Sequence, residues 1–253
     1  MSVETGTKKK SGREGFGDTI RVVIHALILA LIVRVFFYQP FNIPSGSMVP
    51  TLLVGDYLFV SKLSYGYSRH SFPWSPNLFK GRILATKPKR GDVAVFKLPR
   101  DNETDYIKRV IGLPGDRIQM IGGVLHINGK AVPKKRIEDF VIRDVFGNRR
   151  SVPRYQETLP NGVVYNVLDL NSSGPGDNTP VYTVPAGHYF MMGDNRDNST
   201  DSRVQSAVGY VPFENFVGRA EIIFFSADES SSLWTPWSWP GSIRWGRFFK
   251  LVD

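Results

Sequence analysis

The chain has 253 residues, a formal net charge of +9 and no cysteine. Its length suffices for one substantial core or two modest ones, and the lack of cysteine excludes disulfides, thiolate metal sites and a cysteine nucleophile. The basic residues are scattered, at 8–10, 87–90, 134–136, 149–150 and 244–250, without helix-turn-helix or zinc-finger spacing, so the charge points to anionic lipid head groups and not to nucleic acid.

From Ile20 to Phe41 the chain is almost wholly apolar, interrupted by Arg21, His25 and Arg34 and preceded by Lys8, Lys9, Lys10 and Arg13. With its ends this stretch is long enough to cross a bilayer, so residues 19–38 are the expected anchor and 1–18 a cytosolic basic tail. The run between Arg21 and Arg34 also has the length of a secretory signal core. Yet the next residues, Arg34 to Pro40, offer no small-x-small cleavage site, and a retained anchor is the expectation. Lysines ahead of the segment keep the N-terminus cytosolic and place everything after Tyr38 outside.

Beyond the anchor, the chain reads as β structure. Short runs at 56–62, 91–97, 124–130 and 221–225 are rich in β-branched and aromatic residues, several bounded by Gly-Asp or Asn-Gly turns. No long amphipathic helical pattern occurs after residue 45. The stretch 121–185 is more polar, with loops expected at Gly147–Arg150 and Asn171–Asp177. It divides the remainder into a first core part at 39–120 and a second at 186–253, which ends in an aromatic tail.

Two short segments carry chemistry. Pro44-Ser45-Gly46-Ser47-Met48 places serines in a tight turn just beyond the anchor, and Tyr106-Ile107-Lys108-Arg109 places a lysine on an apolar run. Serine turns are commonly only turns, and strand lysines commonly point to water. A lysine can deprotonate a serine hydroxyl only when desolvation lowers its pKa, and Ile107, Val110, Ile111 and Leu113 around Lys108 cannot solvate an ammonium. A third segment, Gly193-Asp194-Asn195-Arg196-Asp197-Asn198-Ser199-Thr200-Asp201-Ser202-Arg203, is dense in polar groups.

In this order, behind an apolar N-terminal segment, the blocks from Ser45 to Leu52, Tyr106 to Asp116 and Gly193 to Arg203 resemble those of bacterial type I signal peptidases. The resemblance runs from the anchor to about Ala227 and is weak between Ile121 and Pro185, where the family carries a β insertion in its catalytic core. It implies a mostly β fold of antiparallel sheets behind one transmembrane helix. The implied activity is a Ser-Lys endopeptidase, without cofactor or metal, that removes signal peptides from exported preproteins on the outer face of the cytoplasmic membrane.

The same resemblance assigns Ser47 as nucleophile, Lys108 as general base, Ser45 as an oxyanion donor and Ser199 as the hydroxyl that bonds and orients the lysine. It gives Asp201 and Arg203 as a structural ion pair with Arg109 close by, and Gly193, Asp194 and Asn195 as backbone-shaping residues. Ile43, Pro44 and Ile107 match the walls of pockets for small side chains, which implies cleavage after Ala-x-Ala. Arg109 itself cannot be the base, since guanidinium does not deprotonate at usable pH.

Other arrangements compete less well. A calcium loop counted from Asp197 has Ser202 at the sixth position and Val208 at the twelfth, where glycine and glutamate belong. Ser-x-x-Lys and Gly-x-Ser-x-Gly are absent. Of His25, His70, His126 and His188, only His188 could join a triad, near Asp194. A membrane-anchored binding protein without turnover, or a relative specialised for another exported substrate, are the alternatives in function. The tail from Trp234 to Trp245 reads equally as core packing or as an interfacial belt assisted by Arg244, Arg247 and Lys250.

Overall fold

A computed structural model describes residues 12–77, 79–143, 149–171, 173–228 and 239–252. Helix α1 (Gly12–Phe36) contains an apolar span from Phe16 to Phe36 that is long enough to cross a membrane and lies entirely outside the folded core. It starts earlier than the anchor expected at 19–38 and stops two residues sooner. The stop has a physical cause. Its last carbonyls, on Arg34 and Val35, accept from Lys62 Nζ at 3.1 and 3.2 Å, and Phe36 O accepts from the Tyr67 hydroxyl at 2.5 Å. Donors from the body of the protein thus cap the helix end, and Pro40 bars any continuation. Lys62 is itself buried and also donates to Ser71 O at 2.5 Å; burial, and then the charge of Arg34, lowers its pKa to about 8.

After the helix come β1 (Tyr38–Asn42), β2 (Asp56–Ser61), β3 (Val93–Lys97) and β4 (Asp105–Gly112). Next in the chain are β5 (Arg117–Ile121), β6 (Val124–Ile127), β7 (Lys130–Ala131), β8 (Lys134–Arg143), β9 (Arg149–Thr158) and β10 (Val164–Leu168). The chain returns through β11 (Tyr182–Thr183), β12 (His188–Met192), β13 (Val211–Pro212), β14 (Phe216–Ser226), the short helix α2 (Trp239–Ser242) and β15 (Lys250–Leu251). The main antiparallel sheet runs β1-β2-β14-β3-β4-β12-β13, with β15 on β14. Strands β11-β5-β6-β7 and β10-β9-β8 form two smaller sheets.

Alternation in the strands decides what is buried. Leu58, Val60, Val93 and Val95 from the main sheet enclose Met48 and Leu52, while Ile111 and Phe190 pack against Ile118, Met120 and Leu125 of the smaller sheet. Of the four strand runs expected from sequence, 221–225 lies within β14, 56–62 and 91–97 overrun β2 and β3 by one and two residues, and 124–130 spans β6, a turn and the start of β7. Arg149 and Arg150, expected in a loop, instead pair with Arg143 and Ile142 as the start of β9. Backbone pairing needs no apolar side chain, so the hairpin extends through Arg149 and Arg150 beyond the Phe140, Ile142 and Val152 cluster that packs one of its faces.

That hairpin is tied to the rest of the protein by buried charge. Glu157 on β9 receives two hydrogen bonds from Arg196, at 2.8 and 2.6 Å, and a third from the Tyr165 hydroxyl on β10, at 2.6 Å. Both charged side chains are almost fully enclosed. Removing one partner of such a pair costs about 3–5 kcal/mol, because the other charge is left without compensation. Glu157→Ala is therefore expected to lower unfolding stability by that amount in a denaturant titration, and a Glu157→Leu, Arg196→Met double variant should recover most of the loss.

Candidate active site

Three segments distant in sequence meet at one edge of a cleft. Met48 is fully buried among Leu52, Leu58 and Val60, and this anchors the 3-10 turn Gly46–Met48 and points Ser47 toward β4. On β4, opposite Ala94 of β3, Lys108 brings its Nζ to 2.8 Å from Ser47 Oγ and 2.9 Å from Ile107 O. Both residues are buried, with Ser47 8% and Lys108 4% exposed. Burial lowers the Lys108 pKa to about 8 despite the opposing fields of Asp201 and Asp194. Neither carboxylate forms an ion pair with it within 4.0 Å, so the amine is close to its hydroxyl partner and able to lose its proton near neutrality.

The turn is held from below by the third segment. Asn195 N donates to Ser47 O at 3.0 Å and Asn195 Nδ2 to Gly46 O at 2.9 Å. Gly193 is required there: a Cβ at that position would lie 2.2 Å from Ser199 Oγ and 2.6 Å from Ser47 O. No such crowding exists at Gly46, where an added Cβ would make only ordinary contacts, the nearest at 3.5 Å. Ser45 Oγ lies 3.4 Å from Ser47 Oγ and borders the same cleft.

Arg109, the next residue on β4, is fully enclosed and makes a bidentate pair with Asp194, Nε to Oδ1 at 3.0 Å and Nη2 to Oδ2 at 2.9 Å. Thr51 completes this network by donating to Asp194 Oδ2 at 2.5 Å. Asp201 and Arg203 pair as expected, Nε to Oδ1 at 2.9 Å. Burial alone would raise the Asp201 pKa, but Arg203 and the N–H of Gly193 hold it below the ordinary value.

One expectation needs correction. Ser199 makes no hydrogen bond to Lys108. Its hydroxyl is buried beside Gly193 and forms no well-aligned bond, although its weak interaction with Asp201 still helps to depress that pKa. Arg109, expected only to lie close to the Asp201–Arg203 pair, has Asp194 as its carboxylate partner. The roles of Thr51 and of the Asn195 amide carry no signal in sequence, since each is defined by a partner more than 140 residues away. His188 Nδ1 lies 2.9 Å from Ala186 O, at the opposite end of β12 from Gly193, and takes no part in the cluster.

The cleft has a volume of about 490 Å³. Ile43, Pro44 and Ile107 line it, together with Phe41, Val95 and Tyr106.

A family model described as signal peptidase, peptidase S26, matches residues 16–225. Among curated relatives, signal peptidase I of Rickettsia typhi is 44% identical over 209 residues, covering 79% of this chain and 76% of its own. Signal peptidase I of Rickettsia conorii is likewise 44% identical, over 226 residues, covering 86% and 81%. A solved signal peptidase I from Enterococcus faecalis V583 aligns at 25% identity over 53% of this chain and 97% of its own, with a TM-score of 0.30, too low to carry a structural argument. The family match spans most of the chain, from residue 16 to 225, and relatives 44% identical cover more than three quarters of it; the protein belongs to the S26 family of signal peptidases.

Proposed function

We propose that this protein is a membrane-anchored endopeptidase that removes signal peptides by a Ser47-Lys108 dyad, cutting after small residues. The observation that carries the reading is the 2.8 Å contact between a buried lysine amine and a buried serine hydroxyl at the wall of the cleft. In the neutral form, Lys108 accepts the Ser47 proton as Oγ attacks the scissile carbonyl carbon. The oxyanion that forms takes hydrogen bonds from the Ser47 N–H and the Ser45 hydroxyl. When the C–N bond breaks, the Lys108 ammonium returns the proton to the leaving amine. A water, deprotonated by the same amine, then attacks the acyl-enzyme ester and releases Ser47.

Strand β1 leads directly into Ser45, and a substrate in extended form can pair along that rim. The branched side chains of Ile43 and Ile107 leave room for alanine and exclude larger groups, which accounts for an Ala-x-Ala preference.

Membrane apposition is supported by an aromatic band. Tyr38 contacts Phe59, which stacks on Phe224 at 4.3 Å; Tyr57 joins Phe224 to Phe225, and Phe248 links Phe225 to Trp245. The band starts at the anchor's end and reaches exposed Trp245 and Phe249. Such rings favour the head-group layer. Trp234 and Trp237 lie outside the described residues, as does the side chain of Trp239. Arg247 and Arg244 face Asp56, at 2.5 and 4.0 Å, so the expected head-group contacts of these two arginines give way to an internal ion cluster. With the N-terminus cytosolic, the cleft opens on the outer face of the membrane.

Ser47→Ala and Lys108→Ala should each abolish preprotein cleavage in detergent while leaving the fold intact by circular dichroism, and Lys108→Arg should be equally inactive. Turnover by any folded one of these variants overturns the dyad.

The pH profile has a defined sign. Because the folded pKa of Lys108 is lowered to about 8, the acidic limb of kcat/KM should have its midpoint there, and His188→Gln should leave it in place. Below about 8 the folded protein must also bear a buried ammonium, an unfavourable term that fades as pH rises toward the unfolded value near 10.5. Lys108→Met should therefore melt above wild type at pH 7, by a margin that shrinks between those two values.

A form lacking residues 1–38 should float with anionic liposomes, and Phe224→Ser with Trp245→Ser should return it to the aqueous fraction. Aqueous partition of the unmodified truncated form would make the aromatic band simple packing.

A further inference from the structure

Away from the cleft, the loop between β10 and β11 brings three carboxylates together. One oxygen each of Asp169, Asp177 and Asp197 lies within 4.8 Å of the other two. Asp169 and Asp177 are buried, at 5% and 1% exposure.

Each carboxylate is anchored through one oxygen. Asp169 Oδ2 accepts from Lys134 Nζ at 2.5 Å and Asp177 Oδ2 from Gly174 N at 2.6 Å, while Asp197 Oδ2 accepts from Leu170 N and Asn171 N at 2.7 and 3.0 Å. The remaining oxygens of the two buried residues, Asp169 Oδ1 and Asp177 Oδ1, are enclosed and have no hydrogen-bond partner. Folded proteins rarely leave buried acceptors in this state, and a pair of them in one acidic cluster calls for a cation.

Charge leads to the same conclusion. Three carboxylates against the single ammonium of Lys134 leave two negative charges uncompensated. Of the nearby guanidiniums, Arg196 pairs with Glu157 and Arg203 with Asp201, with Arg203 Nη1 left without a hydrogen-bond partner.

The local sequence fits as well. Asp169, Asn171, Ser173 and Gly174 occupy the first, third, fifth and sixth positions of a calcium-loop spacing, and Asp177 the ninth. The twelfth position is Pro180, not glutamate, and Asp197 brings the missing carboxylate from the next segment. At Gly174 a Cβ would lie 2.8 Å from Asp197 Oδ1 and 3.3 Å from Asp177 Oδ2, so only glycine lets the loop backbone come this close to both carboxylates.

We propose that Asp169, Asp177 and Asp197 bind one divalent cation, calcium in preference to magnesium, which fastens the inserted region to the segment carrying Ser199 and Asp201. Carboxylate oxygens within 4.8 Å of one another can close on one ion, and a cluster without imposed octahedral positions suits calcium, which takes flexible oxygen ligands at about 2.3–2.6 Å, whereas magnesium demands about 2.1 Å in near-ideal octahedral geometry and keeps its waters. The ion neutralises the residual charge and satisfies both orphaned oxygens. It acts on the fold and not on the bond being cut.

The test uses full-length protein in detergent, stripped with EGTA and returned to chelator-free buffer at pH 7. Calorimetric titration with calcium chloride should give one site per chain with a dissociation constant of about 1 mM or tighter, the range of extracellular calcium modules, and magnesium chloride should bind at least about tenfold more weakly. Calcium should raise the melting temperature progressively with its concentration. Asp177→Asn should abolish both signals while melting at or above calcium-free wild type, because a like charge is removed. Asp197→Asn, at an exposed position, provides the same test should Asp177→Asn fail to fold, and Asp101→Asn should respond as wild type. The proposal is overturned if wild type shows neither binding heat nor a melting shift at about 10 mM calcium, above the weakest such modules, or if the shift persists in both variants. Equal magnesium affinity overturns the calcium preference. None of these readouts depends on peptidase activity.

Discussion

Two adjacent cations on one strand, buried on opposite faces, impose the constraint around which the site is built. Lys108 and Arg109 alternate across β4, and each must leave water. Their solutions are opposite. Arg109 cannot lose its proton, so it needs a full carboxylate partner, and Asp194 meets it with two hydrogen bonds. Lys108 can lose its proton, so it is given a hydroxyl and a carbonyl as neighbours and no carboxylate in contact. Exchanging these environments would hold the lysine charged and leave a guanidinium without compensation.

Placement of the third segment results from meeting both needs at once. Asp194 answers Arg109 on one side, and the adjacent residue, Asn195, clamps the carbonyls of Gly46 and Ser47 on the other. The polar support of the Gly46–Met48 turn and the charge balance beneath the sheet therefore come from consecutive residues. Gly193 permits the close approach, since any side chain there would displace Ser199 or the Ser47 carbonyl. Arg196, one residue further, binds Glu157 and couples the inserted hairpin to the same loop.

The junction with the anchor obeys related physics. The end of α1 enters protein instead of water, so its carbonyls need donors, and Lys62 and Tyr67 supply them. A helix capped by its own catalytic domain has a fixed exit direction, and the aromatic band that begins at Tyr38 continues from that point. In this arrangement the direction in which α1 leaves the domain is set by covalent geometry and side-chain hydrogen bonds, not by a slack tether.

By itself, the sequence determined the apolar helix, the β character of the chain beyond it, the positions of four strand runs, the serine turn and the lysine strand, and through three motif blocks the family. These are local properties: hydropathy, turn residues and short spacings do not depend on distant partners. Residue type already excluded Arg109 as a base, but only the tertiary structure decided that Lys108 is buried against a hydroxyl and a carbonyl while the carboxylate of Asp194 goes to Arg109. It also decided that Ser199 stands beside Gly193 without reaching the lysine, that Arg244 and Arg247 turn inward to Asp56, and that a charged stretch forms the long β8–β9 hairpin. Each outcome rests on a pairing across many residues of chain. Residue type limits what a side chain can do, but the partner it meets after folding determines which of those things it does.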